Sequence, residues 1–227
     1  MRIITAITAL VFAAITVLAS PVELEERQGS GGGDGGPPGF NITSIGVNGS
    51  GCPAGTVFYL LNEQRTAVTL TFSNYYASAG PGITIEQNRK NCVVTLGLDI
   101  PRCWNFAIVE VDYYGYYQLD KKVKAIQSAC YHFLGGPQGC ASSTFPRPSD
   151  PPGPVPGKTY TITDLVAAGP SSVCCRKDTI LNINSAIRVD NSDNKAGSGY
   201  ISTDILDFQT IYHFKWWKCC EGTVFCH

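Results

Sequence analysis

Short segments in which apolar and polar residues alternate follow one another from residue 56 to residue 220, and Gly, Pro, Asn and Asp separate them. Alternation with a period of two indicates strands that turn one face to a core, and no segment shows a convincing helical stripe. Such a chain buries its apolar faces by packing sheet on sheet. We therefore predict an all-β fold, an antiparallel β-sandwich of the jelly-roll or Ig-like kind. The predicted strands span 56–61, 67–72, 91–100, 104–119, 123–134, 158–164, 179–190, 200–206 and 210–220.

The first residues have the layout of a secretory signal. Arg2 precedes an apolar run that extends to about Leu18, and small residues follow, so we place cleavage near Ala19. An uncleaved membrane anchor is the alternative. We predict a signal peptide over 1–19, a flexible glycine-rich linker over 20–39, and a single β-sandwich domain with a cysteine-rich C-terminal tail over 40–227. The mature protein is expected to be secreted and extracellular, with no membrane span after cleavage.

Ten cysteines, an even number in a chain with a secretion signal, indicate disulfides. A zinc cluster in the C-terminal tail, which would include His227, is the competing interpretation. Adjacent cysteines suit tetrahedral ligation poorly and the oxidising compartment favours bridges, so we expect disulfides instead. The ten residues are Cys52, Cys92, Cys103, Cys130, Cys140, Cys174, Cys175, Cys219, Cys220 and Cys226.

Charge and motif spacing argue against two further classes of ligand. The formal net charge is −1 and charged residues make up 15 % of the chain, so no basic field is present to attract nucleic acid. Asp190 and Asp193 lie in a polar turn, but the ordered ligand spacing of a calcium loop is missing. We expect no metal ion and no other cofactor.

Three surface features follow from local sequence. Sequons at Asn41 and Asn48 predict N-glycosylation of exposed backbone. The segment 135–157 is rich in proline, which cannot donate a hydrogen bond within a sheet, and we predict a surface crossover there. Its start would be joined to the preceding strand if Cys130 pairs with Cys140.

The stretch VDYYGYYQLD, Val111 to Asp120, places four tyrosines around one glycine. Successive side chains of a strand face opposite sides, so the four rings cannot form one flat shelf for a sugar. We expect Tyr113 and Tyr116 to pack in the core. Tyr114 and Tyr117 are the candidate ligand-binding residues.

Other candidate site residues lie on the same strand and near the end of the chain. Trp216 and Trp217 are adjacent, so we expect one buried ring and one exposed ring, and Trp217 is a third candidate for ligand binding. Glu110 and Asp112 share one face of their strand, which is the only arrangement that suggests glycoside hydrolysis. No GxSxG or HExxH motif is present, and the three histidines, at 132, 213 and 227, are expected to be satisfied or solvated. We therefore expect that this protein is not an enzyme.

Six motifs, in order, resemble those of a family of small secreted proteins, mostly fungal, described as domain of unknown function 4360. They are GSGCPAGTV at 49–57, TFSNYYASAGPG at 71–82, RKNC at 89–92, Pro-x-x-Trp-x-Phe at 101–106, VDYYGYYQLD at 111–120 and HFKWWKC at 213–219. The resemblance implies secretion, a β-rich fold and two bridges: Cys52–Cys92, and Cys219 with one of Cys174 and Cys175. The family reads Arg where this chain has Tyr114, which implies an exposed side chain there.

That family has no established activity, so the function must be argued from the residues. The signal, the dense cysteines and the absence of a catalytic set predict a non-catalytic secreted β-domain, structural or effector-like, that acts at the cell surface or in the extracellular environment. The alternative is a carbohydrate-binding module that recognises cell-wall polysaccharide, and a glycoside hydrolase is less favoured. The expected partner is a polysaccharide or an extracellular protein.

Overall fold

The computed structural model describes residues 35–150, 153–166, 171–172, 177–203 and 209–219. These ranges contain twelve strands and one turn of 3-10 helix, Ile85–Gln87. The strands are β1 Asn41–Asn48, β2 Val57–Leu61, β3 Ala67–Phe72, β4 Tyr76–Ala79, β5 Arg89–Asp99, β6 Trp104–Leu119, β7 Lys124–Phe133, β8 Gln138–Phe145, β9 Val155–Leu165, β10 Asp178–Asp190, β11 Gly199–Ser202 and β12 Gln209–Lys218.

The strands form two antiparallel sheets. The smaller sheet has the order β1-β5-β10-β7-β8, and the larger has the order β2-β3-β12-β6-β11-β4 with β9 also paired to β6. Buried apolar side chains from both sheets form one cluster. Rings meet across the interface: Phe106 on β6 lies 5.0 Å from Phe133 on β7, and Tyr212 on β12 lies 5.9 Å from Tyr131 on β7. The predicted all-β sandwich is confirmed.

The prediction of a loop over 135–157 is wrong at both ends. β8 contains no proline and pairs with β7, and Cys140 lies directly opposite Cys130. β9 begins at Val155 and includes Pro156. Among the described strands β9 pairs only with β6, so Pro156 lies on an edge strand, where proline is tolerated. The strands β1 and β4 were also not predicted.

The described cysteines are all oxidised. Cys52 bonds to Cys92 and Cys130 bonds to Cys140. Cys103 and Cys219 are disulfide-bonded as well, and no cysteine in the described ranges is free. The implied bridge from Cys219 involves position 174 or 175, which lies outside the described residues, as do the cysteines at 220 and 226 and the histidine at 227, so that pairing stays a prediction.

The last residues of the predicted linker contact the domain that follows them. Pro37 is buried, and the Gly36 N–H donates to the Gln64 carbonyl at 2.6 Å. The predicted signal peptide and the linker up to residue 34 lie outside the described residues. Asn41 and Asn48, the predicted glycosylation sites, are exposed on the edge strand β1, and their modification stays a prediction.

The segment between β8 and β9 is fixed to the core by one carboxylate. Asp150, whose side chain is fully buried, accepts hydrogen bonds from the Tyr117 hydroxyl at 2.6 Å, the Arg147 backbone N–H at 2.6 Å and the Lys158 ammonium at 2.5 Å. Three donors converge on two oxygens, so the charge is compensated on every side. This arrangement holds residues 147–150 against β6 and β9.

Close packing against a ring of the neighbouring strand explains why a glycine, Gly115, lies among the four tyrosines of β6. Gly115 lies directly opposite Tyr160 of β9, and the Tyr160 ring occupies the space over it. A Cβ atom at position 115 would lie 2.4 Å from Tyr160 Cζ and 2.6 Å from the Ser202 carbonyl oxygen. The glycine therefore makes room for an aromatic ring from the next strand, and the hydroxyl of that ring donates to Gln127 on the opposite sheet at 2.6 Å.

Gly115→Ala is expected to lower the free energy of unfolding by about 1–3 kcal/mol, because the added methyl group overpacks the interior against backbone as well as against a ring. Urea unfolding of the purified protein measures the change. Gly46→Ala on β1 is the matched control, since its Cβ would meet Thr95 at an ordinary 3.7 Å. Equal stability of both variants would contradict the packing described for Gly115.

Candidate functional site

The outer face of the larger sheet is set by a bulge in β6. The register between β6 and β12 shifts between His213 and Phe214, so that one extra β6 residue, Val109, is accommodated. Before the bulge Ile108 faces the core, and after it Val111 does. The bulge therefore leaves both Val109 and Glu110 on the outer side, and bulges of this kind re-aim side chains next to functional sites.

Beyond the bulge, the tyrosines of β6 alternate strictly. Tyr113 and Tyr117 are buried at 3 % and 0 % exposure, whereas Tyr114 and Tyr116 are half-buried on the outer face. Two predictions are therefore wrong. Tyr117 is not a surface residue, and Tyr116 is not a core residue, because the strand period of two puts Tyr116 on the same side as Tyr114.

The two inward tyrosines belong to the interior hydrogen-bond network. Tyr117 donates to Asp150, and the hydroxyls of Tyr113 and Tyr131 bond to each other across the two sheets. Burial raises the pKa of Tyr117 and of Tyr113 far above the usual range, and it raises the pKa of Tyr131 to about 12. These hydroxyls stay protonated, and the bond between Tyr113 and Tyr131 joins one sheet to the other.

Three outward tyrosines from different strands come together beside Tyr114. The rings of Tyr76 on β4 and Tyr200 on β11 are nearly parallel, with centroids 5.9 Å apart and an interplanar angle of 23°. The ring of Tyr116 on β6 lies 6.3 Å from that of Tyr200. We call Tyr76, Tyr116 and Tyr200 the tyrosine cluster. Tyr76 keeps 37 % of its surface exposed.

Polar groups border the tyrosine cluster. A cavity of about 140 Å³ is lined by Gln118, Asp120, Ser198 and Tyr200. Ser202 lies directly opposite both Tyr76 and Tyr116 in the sheet, and its buried hydroxyl has no hydrogen-bond partner among the described residues. Amide, carboxylate and hydroxyl groups thus lie next to ring faces, the combination that small-ligand sites use for orientation.

A second group of side chains lies further along the same face. His213 Nε2 on β12 is 2.9 Å from Asp112 Oδ2 and 3.9 Å from Glu110 Oε1, both on β6. The Thr163 hydroxyl on β9 donates to Asp112 Oδ1 at 2.5 Å. We call Glu110, Asp112 and His213 the carboxylate–histidine cluster. Asp112 is four residues from Tyr116, about 13 Å along the strand.

Trp217 does not join either group. It is 38 % exposed at the end of β12, opposite Asn105, roughly 35 Å along β6 from Tyr116. Its neighbour Trp216 turns inward, with its ring 4.7 Å from Phe40 and its indole N–H donating to the Arg65 carbonyl at 2.8 Å. One inward and one outward tryptophan were expected and are found.

Profile and pairwise comparisons agree on the relationship of this chain to known proteins. The model of a domain of unknown function, DUF4360, matches residues 38–219. The chain belongs to this family. It is 35 % identical over 195 residues to an uncharacterized secreted protein of Arthroderma benhamiae, an alignment that covers 84 % of this chain and 76 % of that protein.

Two solved structures share a weak likeness with this DUF4360 protein. One is TmCBM61 in complex with beta-1,4-galactotriose, with 12 % identity, 78 % and 90 % of the two chains covered, and a TM-score of 0.24. The other is the enzymatically active domain of bacteriophage CBA120 tailspike protein 4, with 13 % identity, 79 % and 20 % covered, and a TM-score of 0.22.

Other sequence candidates of this DUF4360 protein lie apart from the outer face. His132 on β7 belongs to the smaller sheet, where its Nε2 lies 3.4 Å from the Asn182 amide. Asp190 pairs with Arg188 at 3.3 Å, and Asp193 pairs with Lys124 at 3.0 Å, so each carboxylate has its own cation. Within the described residues, no helix has the length and apolar character that crossing a membrane requires.

The sequence reasoning missed Tyr76, Tyr200 and the role of His213. Tyr76 and Tyr200 lie on four-residue strands, which are too short to show a period. His213 meets Asp112 across 101 positions of chain. The stretches VDYYGYYQLD and HFKWWKC both carry polar residues at outward strand positions, which is a weak indication of a shared site. The sequence does not show that these two strands are neighbours in the sheet.

Proposed function

We propose that this secreted DUF4360 protein is a non-catalytic polysaccharide-binding protein that acts at the cell surface or in the extracellular environment, with the tyrosine cluster as its binding surface. The observation that carries the proposal is the pair of nearly parallel rings, Tyr76 and Tyr200, next to a polar cavity. A sugar presents apolar C–H faces between hydroxyl groups, and tyrosine supplies both an apolar ring and a polar tip. The neighbouring cavity supplies further hydrogen-bonding groups.

The polar groups beside the rings suit sugar hydroxyls. Asp120 Oδ2 accepts from the Ser198 backbone N–H at 2.8 Å, which leaves its other oxygen available to a ligand. Gln118 is exposed and offers both a donor and an acceptor. Ring contacts supply apolar area and these groups supply orientation, and the Asp120 carboxylate disfavours an anionic polysaccharide.

The two carboxylates that suggested glycoside hydrolysis are part of the carboxylate–histidine cluster and lie apart from the tyrosine cluster. Asp112, one of the two carboxylates that suggested glycoside hydrolysis, already accepts from Thr163 and contacts His213. The other, Glu110, lies in the same cluster on an open sheet face, about 20 Å along the strand from Tyr116. We therefore expect no product from the protein on panels of glycans, and release of sugar that is lost in Glu110→Gln would contradict this.

Retention on insoluble chitin, β-glucan or cellulose is expected for the mature protein, and Tyr200→Ala is expected to weaken it about tenfold or more, because the central ring of the cluster is removed. Depletion of protein from solution at increasing polysaccharide concentration measures the change. Phe58→Ala is the matched control: it removes a ring that is 60 % exposed on β2, at the far edge of the same sheet.

Two outcomes would overturn the proposal. One is the absence of retention on all three polysaccharides, which would favour the structural or effector-like role instead. The other is equal loss of retention in Phe58→Ala and Tyr200→Ala, which would indicate nonspecific adsorption of aromatic surface. Thermal unfolding of each variant checks that the fold is intact.

A further inference from the structure

We infer that the carboxylate–histidine cluster, Glu110, Asp112 and His213, binds a divalent transition-metal ion of the zinc class. The three side chains come from two neighbouring strands in the middle of the larger sheet. One ligand atom from each lies within 4.8 Å of the other two. This inference is independent of polysaccharide binding, because it concerns a different part of the outer face.

The backbone holds the three ligands in place. Glu110 is directly opposite His213 in the β6–β12 register, and Asp112 follows two residues later on the same face. The bulge at Val109 fixes Glu110 outward, where an uninterrupted strand would have turned it towards the core. Ligands on paired strands lose little freedom when a metal binds, so the site is preorganised.

The charges of the cluster are incompletely compensated within the protein. Asp112 is only 15 % exposed, and in the described residues its ionisable partner is His213, which carries no fixed charge. No lysine or arginine of the described ranges forms a salt bridge with Glu110 or Asp112. Two neighbouring carboxylates repel each other, and a dication between them removes that repulsion.

Thr163 supports the site from the third strand. Its hydroxyl donates to Asp112 Oδ1, which orients the carboxylate so that Oδ2 faces His213. A hydrogen bond to the non-ligating oxygen of a metal-binding carboxylate is the usual outer-shell support. The Thr163 side chain is therefore a positioning group, and its removal should weaken metal binding without eliminating it.

The donor set determines the class of metal. One imidazole nitrogen and two carboxylate oxygens suit zinc, cobalt or manganese, whereas calcium and magnesium take oxygen ligands only. Three protein ligands leave at least one position for water or for a ligand atom. The metal would take His213 Nε2 in place of its contact with Asp112 Oδ2, and the one proton of a neutral imidazole then lies on Nδ1.

Zinc titration of the secreted, fully oxidised protein tests the inference. We expect one zinc ion per chain by calorimetry and a rise in Tm with added zinc. Cobalt substitution should give visible absorption bands of a nitrogen–oxygen site without thiolate charge transfer. Calcium added at the same concentration should leave the Tm unchanged.

His213→Ala is expected to weaken zinc binding at least about tenfold, and Thr163→Val is expected to weaken it less. His132→Ala, which removes a histidine of the smaller sheet, is the matched control and should bind like the parent protein. Unchanged zinc binding by His213→Ala would overturn the assignment, as would loss of binding in His132→Ala or the absence of binding by the parent protein. Because polysaccharide retention is measured on Tyr200→Ala, failure of one proposal is distinguishable from failure of the other.

Discussion

Asp150→Ala is expected to lower the free energy of unfolding by about 3–5 kcal/mol, because two donors that now bond to this buried carboxylate lose their acceptor. The substitution leaves the buried hydroxyl of Tyr117 and the N–H of Arg147 without an acceptor. Unsatisfied buried donors each carry a large desolvation penalty. Urea unfolding monitored by tyrosine and tryptophan fluorescence measures the loss.

Asp193→Ala is the control for the Asp150 substitution. Its ion pair with Lys124 has both side chains more than half exposed, and exposed pairs contribute at most about 1 kcal/mol. Asp150→Asn separates charge from hydrogen bonding, since the amide oxygen can still accept from Tyr117 while Lys158, which is partly exposed, turns to solvent. We expect the asparagine variant to lie between the parent and Asp150→Ala. Equal, small losses at positions 150 and 193 would show that the buried contacts do not stabilise the fold.

The contribution of Asp150 is expected to depend on pH in one direction. Burial by itself raises the pKa of Asp150, but the hydrogen bonds from Lys158, Tyr117 and Arg147 outweigh it and lower the pKa to about 2. A folded-state pKa below the unfolded value means that stability is fully present above about pH 4 and is lost as the pH falls towards 2. The stability difference between the parent and Asp150→Asn should therefore shrink over that window, and a difference that stays constant would contradict the assignment.

Removal of the Cys52–Cys92 bridge, by Cys52→Ala with Cys92→Ala, is the second large effect that we expect. The bridge closes a sequence separation of 40, and both sulfurs are buried. The chain-entropy relation gives a loss of about 4 kcal/mol, to which lost core packing adds. Alanine is chosen because serine would place an unsatisfied hydroxyl in the interior.

The Cys130–Cys140 bridge is the internal comparison. It closes a separation of only 10 and lies on exposed and half-exposed positions of β7 and β8, so its removal by two alanines should lower stability by about 3 kcal/mol or less. Non-reducing mass analysis of each variant verifies that the other bridges are unchanged. An equal or larger loss for the Cys130–Cys140 pair would contradict the ranking by loop length and burial.

Local pattern was sufficient for the fold class and for much of the strand map. Val68, Leu70 and Phe72 alternate with threonines, and these positions are buried in β3 as expected. Local pattern did not predict β1 and β4, which are too polar or too short to show a period. It also did not predict β8, which is flanked by prolines. A period is a local property, and a strand that depends on its neighbours for pairing need not show one.

The order of residues along the chain was sufficient to predict the oxidised, β-built character of this protein, because cysteine number and alternation with a period of two are read directly from the sequence. Which tyrosines face outward depended on the bulge at Val109, a shift in strand pairing that no single strand specifies. The joining of Asp112 to His213, and of Tyr76 to Tyr200, depended on which strands became neighbours. The members of each pair are distant in the chain, and the strand order of the larger sheet brings them within contact distance. That order is a property of the packing of the whole sheet.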